Sequence, residues 1–131
     1  AAIKDQAALS QLAELHPPAK MVATHPGAPS SFPAPVDLEL FYFDIEGKAE
    51  PIRLAAAKGG AGLSFTDTRL SREEFVAMQE SGDLVYGQVP ALKVNGGEIL
   101  TQSAAILRYV GKQTGLYPQN EVLAARVDAL L

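Results

Sequence analysis

The chain has 131 residues, nine of them aromatic and 47% of them hydrophobic, and it carries a formal net charge of −4 with no cysteine. This length allows one domain with an appendage, and the acidic balance without a basic run argues against a nucleic-acid partner. The lack of cysteine excludes disulfides and thiolate sites, and no apolar stretch approaches the roughly 20 residues of a membrane span. His16 and His25 both fall in an irregular segment, so no metal centre is expected.

Residues 1–37 are predicted to form an N-terminal arm, because their composition differs from that of the rest. Apolar residues near helical spacing predict a short helix over 3–15, and six prolines between residues 16 and 35 predict an extended linker. The arm has neither the arginine enrichment of a transit peptide nor the apolar block of a secretory signal. A cytoplasmic location is the default expectation, and an organelle interior after cleavage of a transit peptide is the alternative.

The compact region is predicted to begin with a strand and a helix. Alternation over 38–43 predicts a strand whose Leu38, Leu40 and Tyr42 share one face. A helix follows over 50–58, since Pro51 stands at a first-turn position, where proline is tolerated best. The first half of the fold thus starts as a strand–helix unit.

A second strand and helix come next. Residues 63–70 alternate as a strand does, and Ser71 with Glu74 three residues later forms a capping box that predicts a helix over 72–80. A strand–helix–strand unit of this kind crosses over right-handedly, so the first two strands are expected to be parallel.

The stretch from Val89 to Ser103 is the most informative part of the chain. Asn95 and Gly96 supply the two positive-φ positions of a type I′ turn, so strand 91–94 is predicted to pair antiparallel with 98–101. Helices are then predicted over 103–114 and 121–131. The order β-α-β-α-β-β-α indicates a mixed four-stranded sheet with helices on both faces, which is the thioredoxin-like arrangement.

The start of the helix at residue 103 is predicted to bind a carboxylate. Ser103 is expected to accept a hydrogen bond from the first helical turn, and free N–H groups with a partial positive charge point outward there. Gln102 and Ser103 together therefore form a polar pair suited to a carboxylate group, although the pair is also compatible with a plain helix cap.

At this point the residues resemble the glutathione S-transferases, with the closest likeness to the sigma class and its tyrosine-type relatives. The resemblance covers residues 38–131. It implies a glutathione-binding thioredoxin-like domain over 38–117 and the truncated start of an all-helical domain over 118–131. It rests on four motifs in order: Tyr-Phe-Asp-Ile-Glu-Gly-Lys-Ala-Glu-Pro-Ile-Arg (42–53), Gly-Gln-Val-Pro (87–90), Gln-Ser-Ala-Ala-Ile-Leu-Arg-Tyr-Val (102–110) and Leu-Tyr-Pro (116–118).

The resemblance implies roles for individual residues. Tyr42 takes the position of the catalytic tyrosine, which donates a hydrogen bond to the glutathione sulfur and so favours the thiolate over a thiol whose ordinary pKa is about 8.5. Pro90 is expected to follow a cis bond, with the Val89 backbone pairing with the tripeptide like an added strand. Gln102 and Ser103 match the residues that bind the γ-glutamyl carboxylate. The alternative interpretation of Tyr42 is a packed strand residue, because tyrosine is favoured in strands.

Some positions depart from the family pattern. Lys48 stands where the family usually has arginine. The positive charge is therefore kept, but the planar guanidinium group of arginine is lost. Phe75 and Gln79 replace the tryptophan and lysine that contact the glycyl end of glutathione, and Arg72 is a candidate to restore the lost charge. Arg53 is interpreted as a solvated surface charge rather than a functional group.

Two functions remain open from the sequence. One is an enzyme that uses glutathione as cosubstrate, needs no metal and forms a homodimer when full length. Its reaction is transfer of glutathione to a small electrophile, or alternatively isomerisation or peroxide reduction. The other is a non-catalytic, transferase-like subunit of a larger assembly, held there by the N-terminal arm.

Overall fold

The computed structural model describes residues 35–59 and 62–131. The predicted helix over 3–15 and nearly all of the predicted arm lie outside these residues. None of the helices that the described residues form is long and apolar enough to cross a membrane. The elements are β1 (Val36–Phe43), a 3-10 turn (Gly47–Ala49), α1 (Glu50–Ala57), β2 (Leu63–Leu70), α2 (Arg72–Ser81), β3 (Ala91–Val94), β4 (Ile99–Thr101), α3 (Ser103–Gln113) and α4 (Glu121–Asp128).

The four strands form one mixed sheet in the order β2-β1-β3-β4, as predicted. β1 pairs in parallel with β2, whereas β3 is antiparallel to both β1 and β4. β1 begins at Val36, two residues earlier than predicted, because Val36 pairs with Leu63 and the Asp37 N–H donates to Asn95 Oδ1 over 2.9 Å. These long-range partners extend the strand beyond its alternating segment.

Helices cover both faces of this sheet and bury two apolar clusters. On one face, Leu38, Leu40 and Tyr42 of β1 pack against Ile52 of α1 and Ile106 of α3. On the other face, α2 contributes partly buried side chains to a smaller cluster, which contains Phe41, Leu70, Leu84 and Ala91. Each fully buried large aliphatic side chain stabilises the fold by about 1.5–3 kcal/mol.

The local turn and cap signals are confirmed. Ser71 Oγ accepts the Glu74 N–H over 3.1 Å, while Glu74 Oε2 accepts the Ser71 N–H over 2.7 Å. Asn95 and Gly96 both have positive φ, at 49° and 69°. The Gly97 N–H closes the turn on the Val94 carbonyl over 2.9 Å.

α4 is attached to α3 through one carboxylate. Asp128 Oδ1 lies 2.8 Å from Arg108 Nε and accepts the Tyr117 hydroxyl, also over 2.8 Å. The hydrogen bond from Arg108, followed by that from Tyr117, lowers the pKa of Asp128 below its ordinary value of 3.8. α4 ends at Asp128, so the predicted helix over 121–131 was three residues too long.

Candidate functional site

Tyr42 brings its hydroxyl to the loop that follows β1. The side chain is only 8% exposed, because its ring belongs to the cluster under α1 and α3. Its Oη accepts the backbone N–H of Lys48 over 3.3 Å. The phenolic proton is therefore left for another acceptor. Gly47 makes room for this arrangement, since a Cβ at that position would lie 2.5 Å from Tyr42 Oη and its φ is +44°.

A small hollow brings together five of the seven predicted site residues. It has a volume of about 30 Å³. Its lining offers one cation, two amides and one hydroxyl, and it contains no carboxylate. An anionic group would therefore meet donors there and no opposing charge. The lining residues are Lys48, Gln88, Val89, Pro90, Gln102 and Ser103.

The beginning of α3 differs from the prediction in one respect. Ser103 is the first helical residue and not the cap, and no side chain caps this helix. The N-cap residue is Gln102, whose φ of 73° and ψ of 117° lie outside the regions that side chains favour, at a cost of about 1–3 kcal/mol. An uncapped helix start leaves its first N–H groups available for an external anion.

Val89 presents its backbone at the side of the sheet. The Val89–Pro90 peptide bond is cis, as the resemblance implies. Among the residues that the structure describes, neither the N–H nor the C=O of Val89 takes part in a hydrogen bond. An extended peptide can bind to the edge of a sheet as an additional strand when a residue there has a free backbone N–H and C=O.

Gln79 lies outside the hollow. Its Nε2 donates to the Gly87 carbonyl over 2.7 Å, so its amide supports the segment that leads to Pro90. Phe75 packs edge-on against Phe43, with ring centroids 5.1 Å apart. Neither residue reaches the lining in this structure, and Arg72 is exposed at the start of α2.

Sequence reasoning missed two residues near the site. Gln88 lines the hollow, and its Oε1 accepts a hydrogen bond from Gln102 Nε2 over 3.3 Å. Its place in the Gly-Gln-Val-Pro motif was the available signal. Arg53 was interpreted as a solvated charge, which is wrong, because its side chain is only 10% exposed and is paired with Glu50 and Asp67.

Within the described ranges, no group of three or more histidine, aspartate or glutamate side chains is placed to hold a metal ion.

Residues 38–112 match the family described as glutathione S-transferase, N-terminal domain. The chain is 44% identical over 92 residues to glutathione S-transferase 1 of Ascaris suum, covering 70% of this chain and 42% of that protein. It superposes on the solved glutathione S-transferase of Ascaris lumbricoides with a TM-score of 0.64 and 41% identity, over 72% of this chain and 43% of that one. A Nu-class transferase of Haemonchus contortus gives a TM-score of 0.63 at 35% identity, over 72% and 44%.

The chain therefore spans less than half the length of these relatives. The likeness to the sigma class in particular stays a prediction.

Proposed function

The chain belongs to the glutathione S-transferase family, and from that premise we propose that residues 38–117 bind glutathione and activate its thiol for transfer to an electrophile. The observation that carries the proposal is the convergence on one hollow of an uncapped helix start, a free backbone edge and a cation. Lys48 connects that hollow to the buried tyrosine hydroxyl.

The γ-glutamyl carboxylate is assigned to the start of α3. The Ser103 hydroxyl and the first N–H groups of the helix supply donors, and the helix dipole favours a negative charge at this end. Lys48 adds a full positive charge at the rim of the same hollow. Because Lys48 is exposed, we expect its contribution to be modest and to weaken with salt.

The tripeptide backbone is assigned to Val89. Its unengaged N–H and C=O would bind the cysteinyl residue of glutathione as a short antiparallel addition to the sheet. Such a contact would bring the thiol between the edge of the sheet and the loop after β1.

Thiol activation is assigned to Tyr42. A hydroxyl donor next to sulfur stabilises the thiolate relative to the thiol, at about 1.4 kcal/mol for each unit of thiol pKa. The Lys48 N–H already occupies one lone pair of Oη, which leaves the hydroxyl proton for the sulfur. An electrophilic substrate and a homodimeric state are proposed from family membership alone. The scaffold alternative depends on the arm, nearly all of which lies outside the described residues.

Titration calorimetry of the 131-residue chain with reduced glutathione tests the proposal. We expect saturable binding that Ser103→Ala weakens, while Ser64→Ala, on an exposed position of β2, leaves it unchanged. No heat at millimolar glutathione would refute the proposed binding. Equal affinity of both serine variants would refute the assignment of the carboxylate to α3.

A further inference from the structure

We propose that Arg53 is a positioning residue for the Tyr42 hydroxyl, acting by holding the loop that carries the Lys48 N–H. The inference rests on the proposed thiol activation and adds to it a residue outside the hollow. Arg53 lies on α1, and its guanidinium lies against the loop between β1 and α1.

One guanidinium binds three carbonyl oxygens of this loop. Arg53 Nη1 donates to the carbonyls of Ile45 and Glu46 over 2.7 and 3.4 Å, and Nη2 donates to that of Phe43 over 3.3 Å. Phe43 directly follows Tyr42, and the loop ends at the Lys48 N–H that binds Oη. Both ends of the Tyr42–Lys48 hydrogen bond are therefore attached to a segment that Arg53 holds.

The guanidinium is itself fixed by two carboxylates. Its Nε lies 3.1 Å from Asp67 Oδ2 on β2, and its Nη1 lies 3.3 Å from Glu50 Oε2 on α1. These contacts tie the loop to a neighbouring strand and to its own helix. The planar guanidinium can bind these carbonyls and carboxylates together, with the two hydrogens of Nη1 shared among three acceptors, whereas a lysine ammonium cannot.

The positive charge of Arg53 explains its proposed effect on Tyr42 less well than its hydrogen bonds to the loop do. Arg53 Cζ lies 5.9 Å from the centroid of the Tyr42 ring, close enough for a cation–π contact. However, the paired carboxylates of Glu50 and Asp67 offset its positive charge locally. We therefore assign the effect of Arg53 on the thiol to its positioning of the loop and not to the electrostatic field of its charge.

The test measures the pKa of the glutathione thiol bound to the 131-residue chain, from ultraviolet thiolate absorbance across pH. We expect Arg53→Lys to raise that pKa by about one unit, and Tyr42→Phe to raise it at least as much. The double variant should match Tyr42→Phe alone, because Arg53 acts through the hydroxyl. Arg126→Lys, on the exposed side of α4, is the matched control.

If Arg53 acted on the thiol through the electrostatic field of its charge, the variants would give different thiol pKa values. Arg53→Lys would then leave the thiol pKa near the wild-type value, and Glu50→Gln, which removes a neighbouring negative charge, would lower it. Either result overturns the proposal, as does a double variant whose shift is the sum of the single shifts. We expect Glu50→Gln not to lower the thiol pKa, because the amide oxygen of glutamine can still accept the hydrogen bond from Arg53 Nη1.

Amide hydrogen exchange separates this inference from the proposed function, because it needs no glutathione. We expect Arg53→Lys and Tyr42→Phe each to speed exchange of the Lys48 amide by about tenfold, the effect of one lost hydrogen bond. If glutathione does not bind but this exchange accelerates, the proposed function fails while the positioning role stands. Unchanged Lys48 exchange in Arg53→Lys refutes the positioning role.

Discussion

The backbone N–H of Lys48 donates to Tyr42 Oη over 3.3 Å, while Lys48 itself lines the hollow at the start of α3. The main-chain N–H of Lys48 thus binds the hydroxyl that is proposed to activate the glutathione thiol. Its side-chain ammonium lies at the proposed site of the γ-glutamyl carboxylate. Substituting the side chain should separate the two contributions, since it leaves the N–H in place.

Lys48→Met should weaken glutathione binding about two- to fivefold without changing the bound thiol's pKa. An exposed charge pair contributes about 0.2–1 kcal/mol, and salt screens it. Calorimetry at low and high salt should show that the variant loses most of the salt dependence of the wild-type chain. Lys58→Met, at the exposed end of α1, is the control. A salt dependence that survives in Lys48→Met would contradict the assignment.

Tyr42→Phe should slow alkylation of bound glutathione by a small haloacetamide roughly 10- to 100-fold at about pH 7. A hydrogen bond to a charged group contributes about 1.5–3 kcal/mol, and this one exists only with the thiolate. Affinity for glutathione should change little. The deficit should shrink as the pH rises past about 8.5, where the thiol ionises unaided. Tyr86→Phe, whose hydroxyl is on a side chain 65% exposed, should react as the wild type does.

Asp128→Asn should destabilise the chain at neutral pH and have little effect in strong acid. The folded-state pKa of Asp128 is lowered, so its stabilisation is present above its ordinary value of 3.8 and is lost as the pH falls through the lowered pKa. Thermal unfolding followed from neutral to acidic pH should show the two proteins converging. Asp37→Asn, at an exposed position of β1, should not reproduce this pattern. A constant difference across the range would argue against the ion pair.

Ile106→Ala should lower the free energy of unfolding by about 2–5 kcal/mol, because it opens a cavity in a fully buried position. Ile106 joins α3 to β1 and α1 within the larger cluster. Val122→Ala, at a position 63% exposed on α4, should change stability by less than about 0.5 kcal/mol. Denaturant unfolding measures both. Equal costs would mean that α3 does not pack as described.

Local chemistry explains what could be predicted. The Asn95–Gly96 turn and the Ser71 capping box depend on residues next to each other in the chain, and both form as expected. The same holds for the alternation of β1. The resemblance predicts the remaining candidate site residues, and of what it implies, the cis bond before Pro90 is confirmed.

The sequence pattern did not predict contacts between residues that are distant in the chain. The partners of Arg53 come from β1, the following loop and β2, so its spacing on α1 gave no sign of burial. Ser103 is the first helical residue and Gln102 is the N-cap, with a positive φ that few non-glycine residues take and that the sequence pattern did not predict. The amide of Gln79 donates to the Gly87 carbonyl, eight residues away, and its predicted contact with glutathione stays a prediction.

Gly47 and Tyr42 form an epistatic pair. A methyl group at position 47 would meet the tyrosine oxygen at 2.5 Å but the ring carbon Cε1 at 3.0 Å, so the oxygen is the harder obstacle. Phenylalanine at position 42 removes that oxygen, but it keeps the ring carbons Cε1 and Cζ at 3.0 and 3.1 Å and the strain of the positive φ at position 47. A side chain at position 47 should therefore cost less stability in Tyr42→Phe than in the wild-type chain, although it stays costly in both. A library selected for folding alone should accordingly lose the glycine and the hydroxyl together more often than the two single changes predict.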